Sequence, residues 1–329
     1  MLRSMVRGLT GSPEGLDLAS MAELGLLGLL VSERHSGSGW CPVEAALVAD
    51  EIGRSAAVGG ADAPGAEPRG CSWPAVAIGA AALEAGDDPT DQLAATLDGI
   101  APVVAVAGRL AIADDRADGS LIGVDLPPGA SGLAVISPDG ALHLVELDQP
   151  SVRCRPDPTS IDTTRALVRV DLAGAAVTAL GTAVHVRNAA WVLAAATTLG
   201  SLRSAIDRLV PYLSDRIAFG APIASFQAIQ HRIVDLALLE IRAGVVVDAA
   251  AEILASDPAG STRLAATAHA FAVEYVPPAL DECIQLTGGI GFTWEYPLHH
   301  ELRRAVADGT TFGTARQSRE ALLEVAGWV

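Results

Sequence analysis

The chain has 329 residues, of which 50% are apolar but only 4% aromatic, and it carries a formal net charge of −17. That length fits one to three domains, and such a core must be built from Ala, Leu, Val and Ile, which suits closely packed helices. The acidic balance argues against nucleic acid and anionic membrane as partners.

Cys41, Cys71, Cys154 and Cys283 have no paired spacing, so they read as incidental thiols in a reducing compartment, and no metal site is expected. Met1-Leu-Arg-Ser-Met lacks the apolar region of a signal peptide. The longest apolar runs, around Leu24 to Val31 and Ala189 to Ala196, are too short to span a bilayer. A soluble, cytoplasmic protein is expected.

In chain order, residues 1–98 read as helical, with Leu16, Leu18, Met21, Leu24, Leu26 and Leu27 close to one stripe. Gly59 to Gly70 is rich in Gly, Ala and Pro and reads as a loop. From residue 99 to 178 the pattern shortens. Val103, Val104 and Val106, Leu110 to Ala113 and Leu121 to Leu126 are brief apolar runs broken by Asp, Gly and Pro. Leu133 to Ile136 and Leu142 to Leu147 flank Ser137-Pro138-Asp139-Gly140, a strong hairpin turn. Arg165 to Leu172 alternates. These features predict a small antiparallel β domain. Residues 179–329 read as four long antiparallel helices, Val184 to Asp215, Ile223 to Ser256, Ser261 to Gln285 and an interrupted His299 to Ala326, forming a bundle.

Between the first two of these helices lies Tyr212-Leu-Ser-Asp-Arg216-Ile-Ala-Phe219-Gly220-Ala-Pro222-Ile223-Ala-Ser-Phe226-Gln227-Ala-Ile-Gln230-His231. Arg216 suits a helix C-terminus, Gly220 stops that helix and Pro222 opens the next. Phe226, Gln227, Gln230 and His231 then gather within a turn and a half, a polar set suited to a planar or phosphorylated ligand. A second block reads Gln285-Leu-Thr-Gly288-Gly289-Ile-Gly291-Phe292-Thr293-Trp294-Glu295. Paired glycines are usually plain turns, but they also let backbone approach a pyrophosphate closely.

Together, in this order and helical context, the two blocks resemble the R-x-x-F-G-x-P-I-x-x-F-Q-x-x-Q-H and Q-x-x-G-G-x-G-x-T-x-E signatures of the acyl-CoA dehydrogenase family. Gly25 to Gly39, Glu44 to Gly53 and Ile161-Asp162-Thr163-Thr164-Arg165 resemble further family segments. The resemblance implies an α+β multidomain fold: an N-terminal helical domain, a middle antiparallel β domain and a C-terminal four-helix bundle. It implies an FAD-dependent oxidoreductase acting on an acyl-CoA thioester. It also assigns Arg216, Phe219, Gln227, Gln285, Gly288, Gly289 and Thr310 to a flavin held mainly by a neighbouring subunit. A CoA thioester is itself anionic, so its site needs local arginines against the acidic background.

Two departures from the family's pattern stand out. Where the family has a T-E-P and G-S-D loop around the flavin ring, this chain reads Gly99-Ile-Ala-Pro-Val-Val-Ala-Val-Ala-Gly108-Arg109. The family's base is a glutamate at one of two places. At the first this chain has Val306-Ala307-Asp308-Gly309-Thr310, an aspartate one methylene too short, and a misplacement of about 1 Å can cost about 100-fold. Asp308 is either a poor base or an aspartate before a turn. The second place falls on Ala190, and the only later acids of that helix are Asp207 and Asp215. The remaining polar and aromatic residues read more simply: His231 as a packing or interface residue, Glu295 as a turn tie, Arg303 and Arg304 as surface or interface cations, and Trp191 as core.

The sequence therefore looks like the base-lacking subunit of actinobacterial heteromeric dehydrogenases of steroid or other bulky acyl-CoA thioesters. Its expected partner is a second acyl-CoA dehydrogenase subunit in an α2β2 assembly. The alternatives are a self-sufficient homo-oligomer with Asp308 as base, and a CoA-thioester-binding scaffold without redox chemistry.

Overall fold

The computed structural model describes residues 2–10, 17–55, 73–87 and 91–328. The expected loop from Gly59 to Gly70, and Cys71, lie outside these residues. The N-terminal part contains α1 (Leu2–Thr10), α2 (Leu18–Glu23), a minimal hairpin of β1 (Leu30–Val31) and β2 (Gly39–Trp40), then α3 (Pro42–Ser55), α4 (Trp73–Ala85) and α5 (Gln92–Leu97). Asp17 caps α2 by accepting from the Ser20 amide, which satisfies a donor the helix itself leaves open.

The middle part holds two four-stranded sheets. One has the order β10 (Thr178–Thr182), β7 (Ala141–Glu146), β6 (Gly132–Ile136), β3 (Val103–Ala107); the other β4 (Ala111–Ala113), β5 (Arg116–Asp125), β9 (Leu167–Ala176), β8 (Val152–Pro156). β6 and β7 form the hairpin that Ser137 to Gly140 predicts, with Gly140 at φ 86°. Two expectations need correction. The domain is not wholly antiparallel, because β3 pairs with β6 in parallel. Thr178 to Thr182 is a strand and not the start of helical sequence, since it pairs with β7 around a bulge near Gly181.

The C-terminal part consists of α6 (Val184–Asp215), α7 (Gln227–Ser256), α8 (Thr262–Thr287), α9 (Leu298–Thr311) and α10 (Ala315–Val325). Helix α6 is the axis of the molecule, packed against α3, α7, α8 and α9. By length and composition it could cross a membrane, but 89% of its apolar window is buried in protein, as in a core helix. Its approach to α3 depends on two glycines. A Cβ on Gly53 would lie 2.0 Å from the Thr197 carbonyl oxygen, and one on Gly200 would lie 2.1 Å from that of Asp50, so neither position can carry a side chain without parting the helices.

The expected interruption of the last helix falls at Phe312 to Thr314. Gly313 adopts φ 113°, and Thr314 and Gln317 form a capping box that starts α10.

Candidate functional site

The two glutamine-containing blocks meet at one end of the bundle. The Tyr212 hydroxyl near the end of α6 donates to the Thr287 carbonyl at the end of α8 (3.1 Å). This bond ties the segment before Arg216 to the segment after Gln285. Arg216 is the C-cap of α6, in extended conformation. The chain then makes a tight hairpin, β11 (Ile217–Ala218) with β12 (Ala221–Pro222), in place of the expected helix stop and restart. Phe219 at φ 54° and Gly220 at φ 80° make its tip, as two-residue hairpins require. Pro222 therefore belongs to a strand. Phe226 is the N-cap of α7, and its ring meets that of Phe219 edge to face at 6.4 Å.

Every polar member of this group faces outward. Arg216, Gln227, Gln230, His231 and Gln285 are exposed, and Phe219 is 100% exposed. Arg216 has no ion-pair partner among the described residues. Gly288, at φ 69°, and Gly289 present bare backbone, with nothing within 4 Å of where a Cβ would stand. A guanidinium, three side-chain amides, open backbone and an aromatic pair suit a phosphorylated, planar group that arrives from outside the chain. Thr310 is exposed as well. It lies in the last turn of α9, its hydroxyl turned to the Ala307 carbonyl (2.9 Å). Glu295 is exposed, and the turn there is tied instead by Thr293, whose amide and hydroxyl both donate to the Ile290 carbonyl.

The candidate base positions are in a different environment. Ala190 is 1% exposed in the second turn of α6. Around it, the Trp191 indole donates to the Phe312 carbonyl (2.9 Å), and the Arg187 guanidinium lies 4.5 Å from the Trp191 ring centre. His269 stacks on that indole and bonds Ser318 through Nδ1 (2.6 Å). Burial drives the His269 imidazole down to about 3, so it is neutral. Trp191 is core, as its sequence context suggests.

Asp308 is 5% exposed on α9, one turn beyond Arg304. It ion-pairs with Arg165 (2.7 Å) and with Arg304 (3.5 Å). Arg165 also pairs with Asp162 (2.7 Å) and Asp125 (3.3 Å). Burial disfavours charge on Asp162. Arg165, Arg304 and the Thr164 donors outweigh that cost and hold its carboxyl at about 2. Burial likewise opposes charge on Arg165, but Asp308, Asp162 and Asp125 hold it well above its usual range. Three carboxylates and two guanidiniums thus fasten the segment before β9 and the end of β5 to α9.

Arg304 is 1% exposed, which corrects its reading as a surface or interface cation. Arg303 lies beside it, its guanidinium 5.0 Å from the Trp294 ring centre. Glu301, one turn before, is fully buried, and burial pushes its carboxyl up to about 8, with Ser204, Arg208 and Arg304 opposing. The space beside the cluster, lined by Pro74, Thr197, Asp308 and Phe312 among others, is about 20 Å³, the scale of a single water. Sequence reasoning missed this network. Its members are scattered from Asp125 to Asp308, and the local signals were an acid and a base three residues apart, Asp162 and Arg165, and four residues apart, Arg304 and Asp308.

β3 carries no polar side chain, and Val103, Val104, Ala105 and Val106 are all buried. Within the region that replaces the flavin-ring loop, Val103 to Ala107 is thus an apolar strand, flanked by the exposed Ile100 and Arg109.

Two family profiles match, "Acyl-CoA dehydrogenase, N-terminal domain" over residues 10–85 and "Acyl-CoA dehydrogenase, C-terminal domain" over residues 183–326. The chain is 29% identical to acyl-CoA dehydrogenase IpdE2 of Mycolicibacterium smegmatis, over 91% of this chain and 84% of that protein. Among solved structures it superposes on the ChsE4-ChsE5 complex from Mycobacterium tuberculosis with a TM-score of 0.80. That match has 19% identity and covers 100% of this chain and 96% of that one. It also superposes on the Tcur3481-Tcur3483 steroid ACAD G363A variant with a TM-score of 0.79, at 22% identity over 99% and 93% of the two chains. The fold, with helical, β and helical parts in that order, is the one these structures share. The chain belongs to the acyl-CoA dehydrogenase family, whose members are FAD-dependent oxidoreductases.

Proposed function

We propose that this chain is the base-lacking subunit of a heteromeric acyl-CoA dehydrogenase. In this reading it lends Arg216, Phe219, Gln227, Gln285 and the Gly288-Gly289 backbone to an FAD held mainly by a second, base-bearing chain. One observation carries the reading: these side chains all face solvent at one end of the bundle, while one base position is a buried alanine and the other is locked between two arginines. The flavin would supply the acceptor for hydride from the β-carbon of the acyl group. Arg216 would set its positive charge against the cofactor's phosphates, and Gln227 and Gln285 would offer amide hydrogen bonds. Trp191 and Phe312 pack beside Ala190. The substrate class, a steroid-type or other bulky acyl-CoA thioester, rests on likeness to IpdE2 and to a structure named as a steroid dehydrogenase. The expectation of a second kind of chain draws on the ChsE4-ChsE5 complex.

A self-sufficient enzyme with Asp308 as base is the weaker reading, because a base must be free to take a proton and Asp308 is held by Arg165 and Arg304. The test is flavin stoichiometry, from absorbance against protein concentration. Alone the chain should be colourless or substoichiometric in FAD. With its partner chain the complex should be yellow and contain fewer flavins than chains. A homo-oligomer with one flavin per chain would sink the proposal.

A further inference from the structure

Arg187, in the first turn of α6, is a buried cation without a counter-charge. It is 7% exposed, and no carboxylate among the described residues lies within ion-pair distance of it. Its guanidinium donates to the Pro138 carbonyl (2.6 Å) and to Asn188 Oδ1 (3.3 Å), and it lies over the Trp191 ring. The remaining donor, Nε, is shielded from solvent and has no acceptor among the described residues. Burial lowers the hold of the group on its proton, opposed by Glu324 and Asp139 from beyond ion-pair distance. Arginine stays charged all the same, and a charge taken out of water is strongly unfavourable unless it is paired. Arg165 and Arg304, the other deeply buried arginines, are paired, the first with three aspartates and the second with Asp308.

Arg187 borders a cavity of about 10 Å³, lined also by Ser137, Pro138, Trp191, Phe312 and Gln317, room for one atom the size of a water oxygen. The wall of this cavity favours negative charge. No acidic side chain lines it. The Ile136, Pro138 and Phe312 carbonyls already accept from the Gly108 amide, Arg187 and the Trp191 indole. Gln317 Oε1 accepts from the Thr314 amide (2.7 Å), and its NH2 group has no acceptor among the described residues. Gln317 stands in the first turn of α10, as Arg187 does in that of α6, so the positive ends of two helices flank the space. A water would meet unused donors there and leave the guanidinium without a counter-charge, whereas a monatomic anion supplies both the acceptor and the charge.

We infer that the cavity beside Arg187 binds one monovalent inorganic anion, chloride, between Arg187 Nε and the Gln317 side-chain amide. The lining residues come from the β6–β7 turn, the start of α6 and the α9–α10 connection. The bound ion fastens the β domain to the bundle, and an ion that binds the folded state alone stabilises it. Arg187 and Arg216 stand at opposite ends of α6, and the ion is read on this chain by itself. Failure of this inference would therefore leave the flavin-sharing proposal standing, and the reverse also holds.

Thermal melting of the full chain tests it, with sodium chloride replacing sodium gluconate at constant ionic strength so that screening does not change. Tm should rise with chloride and then saturate, by about 2–4 °C at roughly ten times the dissociation constant. The chloride nuclear magnetic resonance line of the buffer should broaden when the protein is added and narrow again when bromide displaces chloride. Crystals soaked in bromide should show an anomalous scattering peak beside Arg187 Nε. Arg187→Gln should abolish both the chloride shift in Tm and the line broadening. Gln317→Glu keeps an acceptor for the α10 capping box and places a carboxylate at the cavity. It should melt above wild type in gluconate and no longer respond to chloride, a gain that a misfolded variant would not show. The inference is overturned if wild-type Tm is the same in chloride and in gluconate, or if no bromide peak stands beside Nε. It is equally overturned if either folded variant keeps the full response to chloride, because the ion would then act elsewhere.

Discussion

The bundle end that carries Arg216 and the interior that holds Arg165 use the same chemistry in opposite ways. At the first, a guanidinium, three amides and bare glycine backbone face solvent, and Arg216 has no ionic partner among the described residues. At the second, Arg165 is surrounded by Asp125, Asp162 and Asp308 within ion-pair distance. A polar group whose partners come from its own chain is committed to the fold, whereas one left unpartnered at the surface is available to a ligand or another chain. By that criterion Asp308 is committed to the fold, whereas Arg216 is the residue proposed to meet a cofactor, even though both fall within family-like motifs.

Removing a charge from the interior should have the largest effect. Arg165→Ala leaves three buried carboxylates around a gap, and loss of one partner from a buried ionic group costs about 3–5 kcal/mol. Denaturant titration of the variant should show that loss. A change under about 1 kcal/mol would mean that the cluster is solvated and that Asp308 is freer than its burial suggests.

Glu301 offers a pH-dependent version of the same test. Its folded carboxyl sits at about 8, above the ordinary glutamate value of 4.5, so the folded state holds its proton more tightly than the unfolded chain. The resulting stability is fully present below about pH 4.5, declines as pH rises and is lost once pH passes about 8. Glu301→Gln should therefore stabilise the protein at pH 9 by a few kcal/mol, at about 1.4 kcal/mol for each tenfold change in proton affinity, and have little effect at pH 4. Melting curves that moved equally at both pH values would show that Glu301 is not buried as a neutral acid.

At the exposed end the expected effects are smaller and of another kind. Arg216→Ala and Gln285→Ala should leave the melting of the isolated chain within about 0.5 kcal/mol of wild type, as for ordinary surface substitutions. In the complex each should weaken FAD retention by about 1–3 kcal/mol, read from flavin content after gel filtration. Wild-type flavin occupancy in both variants would remove these residues from the cofactor surface.

Much of the fold is legible in the sequence because it rests on local pattern. Helix α6 spans Val184–Asp215 as its periodicity predicts, and the β6–β7 hairpin follows from Ser137 to Gly140. The illegible parts depend on residues distant in sequence. The parallel pairing of β3 with β6 and the strand at Thr178 to Thr182 are fixed by neighbours that no local window contains. The Phe219-Gly220 hairpin reads locally as a helix stop and start, since glycine and proline punctuate both. The site divides in the same way. Arg216, Gln227 and Gln285 lie in two compact blocks that sequence can group, and the Tyr212 to Thr287 bond brings those blocks together. The role of Asp308 cannot be decided from Val306 to Thr310, because its partners Arg165 and Arg304 come from a different domain and from the preceding helical turn.

The central claim is that this chain contributes a cofactor surface but no base, and turnover of the assembled complex carrying Asp308→Asn tests it most directly. The substitution keeps size and removes the charge. With the base on the partner chain, kcat should stay within about threefold of wild type, and a Glu→Gln change at the partner's base should abolish it. A fall of about 100-fold or more, the lower end for loss of a general base, with flavin content and assembly unchanged, would contradict the account and place the chemistry in this chain.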